Sequence, residues 1–176
     1  MAEKGNLLSL LAKLYTWLAV GGNFLQPVIL LVFRLTWGWQ YFVDGKGKLM
    51  HHERVAEFFG TLGIPLPDLN AWFFAGLECV GGLLLILGLG SRLIGLLLAG
   101  NMTVAYLAVE DDRAKVFNVF NDLDAFTQAD PFFYLLVAVL VLAFGPGIFS
   151  ADHLLYRFVF EKKLGKPAEA QQSEPA

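Results

Sequence analysis

The sequence predicts an all-α integral membrane protein, a four-helix bundle with an N-terminal interfacial helix and a disordered C-terminal tail. Three observations lead there. The chain of 176 residues is 56% hydrophobic and 16% charged, with mean hydropathy +0.56, whereas soluble domains are about 45–50% apolar even with glycine counted. It holds four long apolar stretches, and crossing a hydrocarbon core about 30 Å thick takes about 20 helical residues. Three of the stretches carry one polar residue near the middle: Arg34 in 24–43, Glu78 in 69–88 and Asn101 in 92–109. A soluble four-helix bundle is excluded because its helices need a polar outer face. Between residues 92 and 109 the polar side chains are Arg92, Asn101, Thr103 and Tyr106.

The first predicted span opens at Phe24-Leu25-Gln26-Pro27, with Pro27 in the first turn, where its missing N–H costs nothing. The second follows Pro65-Leu66-Pro67-Asp68, with Asp68 as N-cap, and runs to Gly88. Gly88-Leu89-Gly90-Ser91 is short enough to force a tight hairpin, which makes spans two and three antiparallel neighbours. The fourth starts at Asp130-Pro131 and ends near Gly145-Pro146-Gly147. Ahead of them, residues 6–22 are apolar but hold Lys13, Tyr15 and Trp17, a composition suited to lying along the interface. The chain therefore divides into an interfacial segment at 1–23, a four-span membrane domain at 24–160 and a flexible polar tail at 161–176.

Lysine and arginine set the expected orientation. The side holding both termini and the 89–91 turn carries Lys4, Lys13, Arg92, Arg157, Lys162, Lys163 and Lys166, against Lys46, Lys48, Arg54, Arg113 and Lys115 opposite. That bias places both termini in the cytoplasm. The opposite side is acidic through Glu110, Asp111, Asp112, Asp122, Asp124 and Asp130. These belong to a solvated loop or to a surface that attracts a basic partner.

An ionisable group deep in an apolar segment costs roughly 2.5–3.5 kcal/mol on insertion scales, so it needs a partner. Spans of similar length bring their midpoints to one depth, which leads to an expected Arg34–Glu78 ion pair completed by Asn101. Ala71, Ala75, Glu78 and Gly82 fall on one stripe with Gly81 alongside, and small residues there permit close helix approach. Arg34 shares its face with Trp37, Gly38 and Tyr41, and Asn101 shares its own with Leu97, Ala105 and Ala108. Two uses of this layer stand side by side. One is a structural ion pair that fixes helix register, the amide filling the remaining hydrogen bonds. The other is a quinone pocket of Arg34, Glu78, Asn101, Trp37 and Tyr41, in which Arg34 and Asn101 bind carbonyl oxygens, Glu78 handles protons and Trp39 and Phe74 add flat walls.

Other chemistries find less support. The single Cys79 excludes an internal disulfide and reads as a packing residue. His51, His52 and His153 form no helical ligand ladder, so no metal or haem site is expected. There is no phosphate loop, no Ser/His/Asp arrangement and no basic aromatic groove for nucleic acid.

The residues also resemble a known family. Arg34-Leu35, Gly38, Gly45-Lys46-Gly47-Lys48-Leu49, Phe58-Phe59 and Leu62-Gly63-Ile64-Pro65 look like the first half of the DoxX family of small four-helix membrane proteins. The run from Glu78-Cys79-Val80-Gly81-Gly82 to Leu89, then Ser91-Arg92-Leu93, is similar too, as is the closing Gly145-Pro146-Gly147-Ile148-Phe149-Ser150-Ala151-Asp152. The likeness covers about residues 28–153. It implies a four-span bundle in the cytoplasmic membrane and activities that vary across the family. Among these are the DoxD-type subunit of thiosulfate:quinone oxidoreductase and members of oxidative-stress complexes with soluble redox partners. One departure is Asp44-Gly45, where family members often show His-Gly, so any role of that His is absent here. Two functions follow as expectations: a quinone-binding membrane subunit of an oxidoreductase that carries no redox cofactor of its own, or a non-catalytic anchor or assembly subunit. Both imply the lipid bilayer and other protein subunits as partners.

Overall fold

A computed structural model describes residues 2–160, with side chains described over 9–159. Among the described residues the chain is helical without strands: α1 (Ala2–Met50), α2 (His52–Thr61), α3 (Pro67–Leu87), α4 (Ser91–Ala108), α5 (Glu110–Phe117), α6 (Leu123–Thr127), α7 (Pro131–Phe144) and α8 (Ala151–Leu155), followed by a π-helical turn at Tyr156–Phe160. Three of them, α1, α3 and α4, are long and apolar enough to cross a membrane, and α7 is a shorter apolar helix of 14 residues. The polar tail expected at 161–176 lies outside the described residues.

The largest departure from the sequence reading is α1. The interfacial segment and the first span form one helix of 49 residues with Pro27 inside it rather than in its first turn. The same helix runs past Val43, the expected end of the span, through Asp44-Gly45-Lys46-Gly47 to Met50. Gly45 is there for contact. A Cβ at that position would stand 2.3 Å from the Cys79 backbone nitrogen and 2.8 Å from the Ala75 carbonyl oxygen. One step along the same seam, a Cβ on Gly82 would stand 2.6 Å from the Gly38 carbonyl oxygen, and one on Gly38 2.9 Å from that of Gly82. Glycine lets α1 and α3 meet backbone to backbone, which recovers dispersion contacts where lipid supplies no hydrophobic drive between helices.

The buried face of α3 is Ala71, Ala75, Glu78, Gly81, Gly82 and Leu85, the small-residue stripe expected from spacing. Its N-terminus differs from expectation. Leu66, at φ 47°, occupies the cap position, Pro67 opens the helix, and Asp68 lies in the first turn, where a carboxylate complements the helix dipole. Gly88 and Gly90, at φ 67° and 60°, turn the chain from α3 into α4. On α4 the buried residues include Ile94, Gly95, Leu98, Asn101 and Met102. Leu97, expected beside Asn101, is exposed instead, and Leu98 takes the inward position. The α4–α7 contact is close as well: a Cβ on Gly95 would stand 2.9 Å from the Ala138 carbonyl oxygen. A core of Tyr41, Leu85, Leu98, Met102, Val137 and Val141 ties α1, α3, α4 and α7 together. The 110–130 segment, read as a solvated loop, coils into α5 and α6. Asp122 caps α6 by accepting the Ala125 N–H at 2.9 Å, and Tyr106 donates to the Phe126 carbonyl at 3.1 Å.

Candidate functional site

Arg34 and Glu78 do not pair, which corrects the ion pair expected from the sequence. The Arg34 guanidinium instead sits at the C-terminal end of α3. Its Nε donates to the Leu85 carbonyl at 2.9 Å and its Nη2 to that of Ile86 at 3.1 Å. Its Nη1 donates to the Phe149 carbonyl at 3.2 Å and to that of Pro146. The last carbonyls of a helix lack intrahelical donors and carry the negative end of its dipole, so a buried cation is well placed there. The predicted glycine-proline motif serves this contact. Gly145 and Gly147, both at φ 76°, bend the chain after α7 so that Pro146 and Phe149 face the guanidinium. Asp152 completes the corner by accepting the Gly90 and Ser91 N–H groups at 2.7 and 2.8 Å, and so caps α4. This end of the protein is a structural clamp.

Trp37 and Tyr41, placed with Arg34 in the expected quinone pocket, pack elsewhere. Tyr41 is fully buried and donates to the Tyr134 carbonyl at 3.0 Å. Trp37 stacks on Phe133 at 5.5 Å and meets the edge of Tyr134 at 5.0 Å. Both residues join α1 to α7, and Tyr134 in turn donates to Asp44.

Glu78 and Asn101 do come together, and the third member is Lys48. The Glu78 carboxylate is 3% exposed and accepts from Lys48 Nζ at 2.7 and 2.6 Å through its two oxygens. Asn101 Nδ2 donates to Glu78 Oε1 at 2.9 Å. Lys48 is 41% exposed, so the cluster joins the protein interior to its surface. It forms the polar end of a cavity of about 330 Å³. Apart from Arg54 on α2, the walls are apolar: Phe58, Phe59 and Leu62 from α2 and its end, Ala71, Phe74 and Ala75 from α3, and Val104, Ala105 and Ala108 from α4. Of the five residues proposed from sequence, Glu78 and Asn101 line this space.

Lys48 was legible in principle. Arg34, Tyr41 and Lys48 recur every seven residues on one helix face, but only if the helix is taken through the glycines to Met50. Away from the cavity, His52 stacks on Trp72 at 4.3 Å and its Nε2 lies 3.5 Å from an Asp68 carboxylate oxygen. Among the described residues, no group of three or more His, Cys, Asp or Glu side chains is gathered to hold a metal ion.

Lys48→Met is expected to leave Glu78 desolvated beside a single amide donor. Breaking a fully buried pair costs about 3–5 kcal/mol, and the half-exposed lysine brings the expected loss to about 2 kcal/mol. Removing both partners as Lys48→Met with Glu78→Leu should recover most of that loss. A double-mutant cycle on detergent unfolding reads the coupling, and strictly additive losses would contradict the pair.

Comparison with known proteins finds similarity over part of the chain. The DoxX family model matches residues 29–111, which hold Lys48, Glu78 and Asn101 but not the Gly145–Asp152 signature. A Bacillus subtilis (strain 168) protein, "Putative oxidoreductase CatD", is 35% identical over 80 residues, covering 46% of this chain and 58% of that protein. The match thus spans little more than half the relative's length. No solved structure matches the chain. Over residues 29–111 this chain is similar to the DoxX family.

Proposed function

We propose that the chain is an integral membrane subunit of a redox complex and binds a quinone in the Lys48–Glu78–Asn101 cavity. The observation that carries this reading is an apolar space closed at one end by a lysine, a carboxylate and an amide. Small-molecule sites are commonly about 300–1,000 Å³ with apolar walls and few polar groups, and a volume of about 330 Å³ suits a ring head with its chain directed toward lipid. Phe58, Phe59 and Phe74 supply flat faces. Lys48 has three N–H donors and the Asn101 amide two, so both retain donors for a ligand carbonyl while holding Glu78. Glu78 then stands where a proton is taken up or released beside that carbonyl. A bound quinone supplies two-electron, two-proton chemistry. The relative's name supports the oxidoreductase class.

This reading places α1, α3, α4 and α7 as four spans in the inner membrane with cytoplasmic termini, so the cavity lies toward the outer face. α7 at 14 residues is about 21 Å long, and it is completed in depth by the Gly145–Ser150 segment, which is packed under Arg34. The test is purification in mild detergent, lipid extraction and thermal unfolding with added 1,4-naphthoquinone. A raised melting temperature that Glu78→Gln and Asn101→Leu both diminish is expected. No co-extracted quinone and no thermal response would end the proposal.

A second reading, an anchor or assembly subunit, is favoured by α1 itself. Between Leu10 and Phe24 its large apolar side chains, including Leu14, Trp17 and Leu18, are more than half exposed. A single stretch of such width needs lipid or another subunit to cover it. Native mass spectrometry from gently solubilised membranes distinguishes the two, since a lone monomer contradicts the assembly role.

A further inference from the structure

The cavity holds one positive charge more than its own residues neutralise. Its charged lining residues are Lys48, Arg54 and Glu78, two cations against one carboxylate. Glu78 is committed to Lys48 through both oxygens, at 2.7 and 2.6 Å. Arg54, on α2, is exposed, and among the described residues no carboxylate stands within ion-pair distance of its guanidinium. Its sequence neighbours Glu53 and Glu57 border the outer polar groove that Arg54 shares. Neither forms an ion pair with it.

This arrangement has a direct consequence for ligand choice. Without a ligand, water solvates Arg54 and the surplus charge costs little. A ligand that fills the cavity expels that water, and an uncompensated cation beside an apolar body then becomes unfavourable. A ligand bearing a negative charge removes the penalty and gains a charge-assisted, bidentate contact with the guanidinium. From this we infer that Arg54 is a specificity determinant that selects anionic ligands: a quinone carrying an ionised ring hydroxyl or carboxylate over its neutral parent. The inference rests on the quinone reading above and adds the class of quinone and the residue that recognises it.

Equilibrium dialysis of the detergent-solubilised full chain, at a pH where 2-hydroxy-1,4-naphthoquinone is ionised, compares that anion with neutral 1,4-naphthoquinone. The anion is expected to bind about tenfold tighter, the scale of one ion pair discounted for an exposed arginine. Arg54→Gln should erase that advantage by weakening the anion and relieving the penalty on the neutral ligand, Arg54→Lys should keep part of it, and added salt should shrink it. Equal affinity for the two ligands in the wild-type protein, or an anion preference that survives Arg54→Gln, would overturn the inference while leaving the quinone site intact. Failure of both ligands to bind would overturn the quinone reading and this inference with it.

Discussion

Arg34→Met is expected to destabilise the protein by about 4 kcal/mol, the largest effect of any single substitution considered for it. The guanidinium satisfies four carbonyls, of Leu85, Ile86, Pro146 and Phe149, and it is 1% exposed, so no water replaces it. Each buried acceptor left unpaired costs about 1–3 kcal/mol. Leu85 retains one bond, from the Gly88 N–H at 3.1 Å, so its carbonyl adds least to the total. Arg34→Lys should rescue only in part, because an ammonium has three donors and no planar fork to reach both α3 and the 146–149 segment. Unfolding in detergent measures the loss. Combined with Glu78→Gln, the losses should add to within about 0.5 kcal/mol, as they do for sites with no shared partner. A strong coupling between the two positions would restore the direct pair and contradict the clamp.

Gly45→Ala should cost about 2–3 kcal/mol, the usual range for overpacking a tight contact, and should abolish the thermal response to quinone. The added methyl meets the Cys79 nitrogen at 2.3 Å and the Ala75 carbonyl at 2.8 Å. Both are backbone atoms that no rotamer change can move. α1 must therefore lift from α3, and Lys48, one turn further along, is drawn away from Glu78. Gly47→Ala is the matched control. Nothing lies within 4 Å of a Cβ there, so alanine should be neutral or should stabilise the helix by up to about 1 kcal/mol. Thermal unfolding of the two variants, with and without 1,4-naphthoquinone, separates contact from propensity. Equal behaviour would show that the α1–α3 seam tolerates widening.

The helices α3, α4 and α7 were legible because each is an apolar run opened by proline or glycine, and the Gly88–Ser91 turn was too short to do anything but reverse the chain. Glu78 and Asn101 were legible as partners because buried polar groups in greasy helices must find each other. Arg34 was misassigned for a physical reason. It sits midway along an apolar run, but the packed part of α1 extends to Met50. In the antiparallel pair Arg34 therefore comes level with Leu85 and Ile86, about 10 Å along α3 from Glu78 at 1.5 Å per residue. The end of the first span was not legible either. The apolar run of the first span stops at Val43, yet the helix continues through Gly45 and Gly47 because packing overrides their poor intrinsic propensity, and the lysine beyond them is the counterion.

What the sequence by itself determined is that this chain is helical, membrane-embedded and obliged to pair its few interior polar groups, because apolar length and the cost of an unpartnered charge admit no other solution. Which groups pair was decided only by the tertiary structure. Register between α1 and α3 depends on where their glycines let the backbones touch, and that contact, invisible to composition or periodicity, sends Arg34 to the carbonyl corner of α3 and Lys48 to the carboxylate of Glu78.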